Sequence, residues 1–465
     1  MKSVVVGLGK TGASCVRYLS KRGIAAGVTD SREAPPGLEG LEGIRGSIDV
    51  RLGGFDLSLL DGASQVLMSP GVSLDEPIAR AARDRGIEVV GDVELFARNV
   101  RAPVIGITGT NGKSTVTTLV ARMAAAAGRA VLAGGNLGEP VLDLLEHPAP
   151  DLYVLELSSF QLETTSSLEL AAAVVLNVTA DHMDRYASIE AYARAKARIF
   201  AHAATVVLNV DDPRVAGMRA AVERAGAGTA TDAALPGGGR RPDAAVPRIV
   251  TFSIERSDAD FSLLRHAGGT FLAWHGERLL ELERLKITGL HNAANALAAL
   301  ALGEAVGLPM PGMLATLESF RGLPHRSAWV ADIEGVRYVD DSKGTNVGAT
   351  IAAVEGMRGP LVMIAGGEGK GQDFTPLAAA FRGKVRHTVL IGKDAASVAA
   401  ALDGVCPTET VASMREAVLA AARAAGKGDT VLLSPACASL DMFRDYGHRG
   451  DVFAEEVRHL DRRGS

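Results

Sequence analysis

Cysteine is scarce in this chain: Cys15, Cys406 and Cys437 are its three among 465 residues, odd in number and far apart. That excludes a disulfide framework and a zinc site, and leaves three reduced, structural thiols. An excess of positive charge is also missing, with 49 Lys and Arg against 54 Asp and Glu and a net charge of −5. No nucleic-acid surface is expected, and an anionic ligand has to be met by local cations. No apolar run is long enough to span a bilayer, and Met1 and Lys2 lead directly into VVVGLG without the features of a signal peptide. The expectation is a cytoplasmic chain without membrane insertion. Internal repeats are absent. With 47% hydrophobic and 22% charged residues the chain is no disordered one, and its length predicts two to four domains with sizeable cores.

What is present centres on Val104 to Thr118, VIGITGTNGKSTVTT. The apolar run Val104 to Thr108 predicts a buried strand, and Lys113 opens a helix to about Ala127. Between them Gly109, Thr110, Asn111 and Gly112 form a tight turn. Glycines let backbone N–H groups converge on an anion, the helix N-terminus adds a favourable dipole, and Lys113 adds full charge, so the stretch predicts nucleotide phosphate binding. Ser114 or Thr115 is placed to hold Mg²⁺. The usual phosphate loop has its first glycine where this chain has Ile107; GTNGKST is a shorter version.

Elsewhere short apolar runs alternate with helical stretches, which predicts parallel α/β units. Strand Lys2 to Val6 enters Gly7-Leu8-Gly9-Lys10-Thr11-Gly12 and a helix reaching Arg22. Strand Ala26 to Thr29 ends at Asp30, a dinucleotide-like spacing that a plain βα turn matches equally well. Gln65 to Met68 leads to Ser69-Pro70-Gly71, so this turn and Asp30-Ser31-Arg32 share the strand C-termini. After the phosphate loop, Leu152 to Leu155 delivers Glu156, a candidate metal ligand, and Ala173 to Val178 delivers Asp181 and His182. Phosphate loop, carboxylate and histidine at three strand ends imply one site. Ser188 to His202 predicts a helix carrying Lys196, which by itself is a solvated lysine. Ala225 to Arg248 reads as a flexible surface loop, and Gly289 opens an alanine-rich helix with Asn292 and Asn295 near its start. Pro309 and Pro311 mark a break, and Leu323 to Arg326 a hinge into a third unit. There Val336 to Val339, Leu361 to Ala365, Thr388 to Ile391 and Thr430 to Leu433 predict strands, each followed by a polar or glycine-rich turn.

The motifs TGTNGKST, GGNLG, ELSSFQLE, DHMDRY, YARAKARIF, GLHNAAN, LPHR, DDSKGTN, GGEGK and SPACASLDMF, in this order over nearly the whole chain, resemble the Mur ligases. DSKGTN and SPACASLDMF are most similar to the D-glutamate-adding branch. The resemblance implies three α/β domains: a Rossmann-like UDP-binding unit at 1–97, a central ATPase-like mononucleotide-binding unit at 98–322, and a Rossmann-like amino-acid-binding unit at 323–465. It implies a monomer using ATP and Mg²⁺ to join D-glutamate to UDP-N-acetylmuramoyl-L-alanine through an acyl phosphate. By the same carry-over Gly109, Thr110, Asn111, Gly112, Lys113, Ser114, Thr115, Asn295, Arg326 and Asp341 meet ATP. Ser114 or Thr115 with Glu156 holds one Mg²⁺, and His182 with a CO₂-derived carbamate on Lys196 a second. Lys10, Thr11, Asp30, Ser31, Arg32, Ser69, Gly71, Asn136, Ser158 and Gln161 meet the UDP substrate. Lys343, Thr345, Lys370, Ser439, Leu440 and Tyr446 receive the amino acid. Lys10 and Tyr446 depart from the family's commoner residues.

Two enzyme alternatives and one binding alternative stand beside this reading. A folylpolyglutamate-synthase-like ligase lacks the N-terminal unit that Gly7 to Gly12 and Asp30 announce. An NAD-dependent dehydrogenase explains Gly7, Gly9 and Gly12 but leaves the phosphate loop, Glu156 and His182 idle, and a nucleotide-gated binding module predicts ATP binding without turnover.

Overall fold

The computed structural model describes residues 2–44, 48–136, 138–226, 246–266, 268–287, 289–357 and 359–464. Most of the stretch expected to be a surface loop, 227–245, lies outside the described residues. Three sheets form among the described residues, each from short apolar runs connected mainly by helices.

The first sheet contains β1 Lys2–Val6, β2 Ala25–Asp30, β3 Asp49–Leu52, β4 Ala63–Met68 and β5 Glu88–Val90, all parallel in the order 3-2-1-4-5. The order reverses between β1 and β4, where open sheets leave a crevice at the strand C-termini. The second sheet holds β6 Val104–Thr108, β7 Val131–Gly135, β8 Leu152–Glu156, β9 Leu170–Val175, β10 Ala203–Asn209, β11 Arg248–Ser253, β12 Phe261–His266, β13 Gly269–Trp274 and β14 Glu277–Glu281. Its order is 14-13-12-11-10-9-6-8-7, with the last two strands added antiparallel. β6 therefore lies between β8 and β9, and the loops that follow these three strands emerge side by side.

The third sheet runs 15-16-20-17-18-19: β15 Ala328–Ile333, β16 Val336–Asp340, β17 Leu361–Gly366, β18 Val385–Ile391, β19 Thr408–Thr410 and β20 Thr430–Leu433. Only β15 pairs antiparallel, at the edge. Again three neighbours, β16, β20 and β17, bring adjacent loops to one rim.

Burial of both faces explains why the central strands are continuous apolar runs rather than alternating ones; all of β6, β8 and β17 is buried. One apolar cluster runs without a break from the first unit into the second, joining Val5, Leu19 and Phe96 to Tyr153, Leu162 and Tyr192. A second lies on the other face of the middle sheet around Ile107, Leu300 and Phe320. The two clusters of the third unit draw all their members from Val330 to Leu460.

Two segments differ from expectation. The run read as a strand over Ala173 to Val178 pairs over Leu170–Val175, because Asn177 turns to the phosphate loop and the Val178 N–H donates to the Asp212 carboxylate at 2.7 Å. The helix expected over Ser188 to His202 ends at Ala197 and tightens into a 3₁₀ turn, Arg198–Phe200, before β10 begins.

Candidate active site

Gly109 and Gly112 take φ of +151° and +86°, conformations that side chains disfavour. A Cβ on Gly112 would stand 2.3 Å from Asn295 Oδ1, so the missing side chain also lets Asn295 approach the turn. The Lys113 ammonium folds back to donate to the carbonyls of Gly109 and Thr110 at 2.9 and 3.0 Å. Lys196 Nζ donates to the same Gly109 oxygen at 2.9 Å.

Lys196 is therefore no solvated helix residue. It is 1% exposed and its Nζ lies 4.3 Å from the Tyr192 ring centre. Burial, and next the Lys113 ammonium, push its pKa well below the ordinary lysine value, which favours the neutral amine. Lys113 is likewise lowered by burial, with Glu156 and Asp181 opposing.

Glu156 ends β8, with its Oε1 accepting from Asn136 Nδ2 at 2.8 Å and its buried Oε2 without a partner. A buried carboxylate oxygen left unpaired is costly, and a hard cation relieves that cost. Among the described residues no group of three His, Cys, Asp or Glu side chains surrounds a single point. Ser114 and Thr115 sit in the first turn after the phosphate loop and Glu156 ends the neighbouring strand β8, and hydroxyl and carboxylate oxygens are donor types that Mg²⁺ takes, with few carboxylates needed. His182, with φ +58°, lies 3.7 Å from Asp181 Oδ2; burial lowers its pKa against the pull of Asp181, leaving a ring nitrogen lone pair available.

The third unit closes over this cluster. Arg326 Nη2 donates to Ser114 Oγ at 2.7 Å, and Lys370 Nζ lies 3.8 Å from Asp181 Oδ1. Between the units is a cavity of about 250 Å³, lined among others by Asn111, Phe252, Asn295, Arg326, Asp341 and Lys343. Its mixture of amide, aromatic and charged groups suits a nucleoside bearing phosphates. Burial pushes the Asp341 carboxyl up to about 7 against hydrogen bonds from Ser434 and Ser327. Burial, then Arg326 and Lys113, bring Lys343 down to about 8; its Nζ lies 3.9 Å from the Tyr446 ring centre. Ser439 is buried and Leu440 exposed on the neighbouring turn, and Thr345 N donates to the Lys343 carbonyl at 2.8 Å.

At the rim of the first sheet, Asp30 accepts from Leu8 N at 2.6 Å and from Arg32 Nε and Nη2 at 2.9 and 2.8 Å. Burial opposes its ionisation, but Arg32 and the backbone N–H groups outweigh burial and hold it below the usual range. Ser69 Oγ donates to the Gly7 carbonyl at 2.6 Å, and Gly12 is required because a Cβ there would meet that carbonyl at 2.0 Å. Thr11, Ser31 and Gly71 stand at the same rim. Lys10 Nζ reaches Gly138 O at 2.5 Å, close in sequence to Asn136. The Gln161 amide is spent within the protein: Oε1 accepts from Ser158 N and Oγ, and Nε2 donates to Asp92 at 3.4 Å.

The structure thus gathers Gly109 to Thr115, Glu156, His182, Lys196, Asn295, Arg326, Asp341, Lys343 and Lys370 around one cleft, while Asp30, Arg32 and Ser69 form a separate crevice. Sequence reasoning passed over three supporting residues. Asn177 pairs with both backbone groups of Asn111. Asn346 reaches Asn111 from the third unit. Arg449, 1% exposed, donates to Ser342 Oγ and O and to the carbonyls of Cys437 and Ala438, tying the Lys343 turn to the Ser439 turn. An arginine inside an otherwise ordinary amphipathic helix carries no local signal of that role; an asparagine before a helix, as at Asn346, and a polar residue interrupting an apolar run, as at Asn177, do.

Comparison with known proteins returns three family models in sequence: "Mur ligase MurD-like, N-terminal domain" at residues 1–91, "Mur ligase middle domain" at 107–303 and "Mur ligase, glutamate ligase domain" at 325–437. The chain is 52% identical over 461 residues to the UDP-N-acetylmuramoylalanine--D-glutamate ligase of Nitrosococcus oceani, covering 98% of this chain and 96% of that one. It is 50% identical over 466 residues to the protein of the same name from Methylobacillus flagellatus, covering 99% and 97%. Among solved structures, UDP-N-acetylmuramate-alanine ligase MurC from Thermotoga maritima aligns with a TM-score of 0.59 at 19% identity over 99% of this chain and 100% of that one. MurF ligase from Thermotoga maritima in complex with ADP aligns with a TM-score of 0.59 at 16% identity, over 98% and 95%. At such identities these two likenesses concern the fold alone.

Proposed function

The chain belongs to the Mur ligase family, and on that premise we propose that it joins D-glutamate to UDP-N-acetylmuramoyl-L-alanine. It is an ATP-dependent ligase of peptidoglycan precursor synthesis. The terminal carboxylate of the UDP substrate takes the γ-phosphoryl group of ATP, giving ADP and an acyl phosphate. The glutamate amine then attacks that carbonyl, phosphate leaves, and an amide remains.

Such a reaction asks the protein for alignment and charge neutralisation rather than covalent chemistry. Lys113 and Arg326 face the phosphate chain from two units, and Asp341 accepts from the ribose. Lys343, Lys370, Thr345 and Ser439 receive the two carboxylates of the amino acid beside Leu440 and Tyr446. Ser114 or Thr115 with Glu156 would hold one Mg²⁺, and His182 with a CO₂-derived carbamate on Lys196 a second; bound there, Mg²⁺ neutralises phosphate oxygens. The low pKa of Lys196 supports that modification, since only a neutral amine attacks CO₂. Residues 1–97 take the UDP group at Lys10, Thr11, Asp30, Ser31, Arg32, Ser69 and Gly71, with Asn136 near the sugar or phosphate and Ser158 and Gln161 also on the UDP substrate. Residues 98–322 take ATP and 323–465 the amino acid. The reading makes the protein a cytoplasmic monomer; no helix among the described residues is long and apolar enough to cross a membrane.

The observation that carries the reading is the meeting of Lys113, Lys196 and the unpartnered Glu156 oxygen beneath Arg326. An amino-acid panel incubated with UDP-N-acetylmuramoyl-L-alanine and ATP, scored by product mass, tests it. D-Glutamate alone is expected to give the amide; a product with another amino acid and none with D-glutamate overturns the assignment.

A further inference from the structure

We infer that the reciprocal amide pair between Asn111 and Asn346 is a latch that couples the phosphate loop to the turn receiving the amino acid. The inference rests on the function proposed above for the roles of those two turns. Asn111 Nδ2 donates to Asn346 Oδ1 at 3.4 Å, and Asn346 Nδ2 donates to Asn111 Oδ1 at 3.2 Å, across 235 residues of chain.

Both partners are held so that they face each other. On the central side the Asn177 amide accepts from Asn111 N at 2.8 Å and donates to Asn111 O at 3.1 Å, while Thr110 N donates to Asn177 O at 3.0 Å. The backbone of the phosphate loop is thereby fixed, and the Asn111 side chain is the part left to reach outward. On the other side Asn346, 3% exposed, caps helix Val347–Gly356 by accepting from Ala349 N at 2.8 Å, and its Nδ2 also lies 3.4 Å from Asp181 Oδ2. Two residues on, Gly348 packs against Thr179; a Cβ there would stand 2.9 Å from Thr179 Oγ1, so the approach depends on the absent side chain.

The consequence concerns the turn between Asp341 and Asn346. Its first end is fastened to its own sheet, by Asp341 N to Leu433 O at 2.8 Å and Ser434 Oγ to Asp341 Oδ2 at 2.8 Å. Its second end is fastened to the phosphate loop of another unit. Lys343 and Thr345 lie between, so the position of the loop that receives nucleotide sets the position of the groups that receive the amino acid. A neutral amide pair performs this without bringing a further charge among phosphates and carboxylates, and without the desolvation cost of a buried ion pair.

Asn346→Ser separates the latch from the helix cap, because serine caps a helix as well as asparagine but is too short to pair with Asn111. The expected result is a KM for D-glutamate raised about tenfold, the scale of one lost hydrogen-bonded pair, with the KM for ATP within about twofold. Compaction on adding Mg²⁺ and a non-hydrolysable ATP analogue, followed by small-angle scattering, is expected to weaken. Combining it with Asn111→Ala should add little to the larger single effect. Wild-type behaviour of Asn346→Ser in both readouts reduces Asn346 to a cap and overturns the latch, as does an equal rise in both KM values. A wild-type protein that makes no glutamyl product yet loses compaction on Asn346→Ser keeps the latch and overturns the function.

Discussion

The two seams of this molecule are built from different material. Between the first and second units, an apolar cluster continues across the boundary and buried polar contacts lie over it. Gly91 N donates to Thr164 O at 3.2 Å, Phe96 meets Tyr153 edge-on at 5.2 Å, and the buried Glu94 carboxylate accepts from Ser166 N, Ser167 N and Ser167 Oγ at 2.7, 3.0 and 2.7 Å. Between the second and third units no cluster of fully buried apolar residues crosses among the described residues, and the contacts include Arg326 to Ser114, Asn346 to Asn111 and Asp181, Lys370 to Asp181, and Gly348 against Thr179. Apolar burial is indifferent to ligands and costly to undo. Polar groups that also belong to the candidate site can exchange a protein partner for a substrate oxygen at little net cost. One seam is therefore expected to stay closed, and the other to form and part with its ligands.

Three substitutions probe that contrast, in falling order of effect. Arg326→Ala removes the guanidinium that bonds Ser114 across the second seam and that the proposed function puts on the phosphate chain; kcat is expected to fall about a thousandfold, the scale of losing an electrostatic contact to a transition state, with unfolding stability unchanged. A kcat within tenfold of wild type would mean that the third unit does not deliver that charge. Glu94→Ala attacks the fixed seam instead, leaving Ser166, Ser167 and the Arg98 guanidinium at 3.0 Å without their acceptor. A loss of about 3 kcal/mol in urea unfolding is expected, and the same loss with nucleotide bound would show that this seam ignores the ligand. The smallest effect concerns Asp92, which is buried in the same seam with Oδ1 unpartnered and is pushed up to about 6 by burial. Its native carboxyl keeps a proton that the unfolded chain releases above about pH 4, so its contribution is fully present below that pH and is lost as pH rises through 6. Asp92→Asn is expected to gain about 1–2 kcal/mol at pH 7.5, with the difference shrinking toward pH 4.5; a constant difference would assign the effect to packing.

Much of this was legible before any coordinates. Strands β6, β8 and β17 are apolar on both faces, so their runs announced themselves, and the glycine turn before Lys113 named its ligand class. The rim residues followed because adjacent parallel strands present their following turns together. What escaped was decided by distant partners. Lys196 reads locally as a solvated lysine; its burial comes from Tyr192 on the same helix and from the Gly109 carbonyl, 87 residues away. The antiparallel edge strand Ala328–Ile333 pairs against β16 with a register shift and shows mixed burial, so no apolar run marks it. Asn177 and Arg449 act on backbone atoms, and a sequence does not say which carbonyls will face them.

The shared oxygen of Gly109 has one more implication. Two lysine side chains, Lys113 and Lys196, donate to that single peptide carbonyl, so one backbone atom anchors both the helix that begins at Lys113 and the helix that carries Lys196. Any substitution that shifts the Gly109 carbonyl therefore displaces both lysine tips at once.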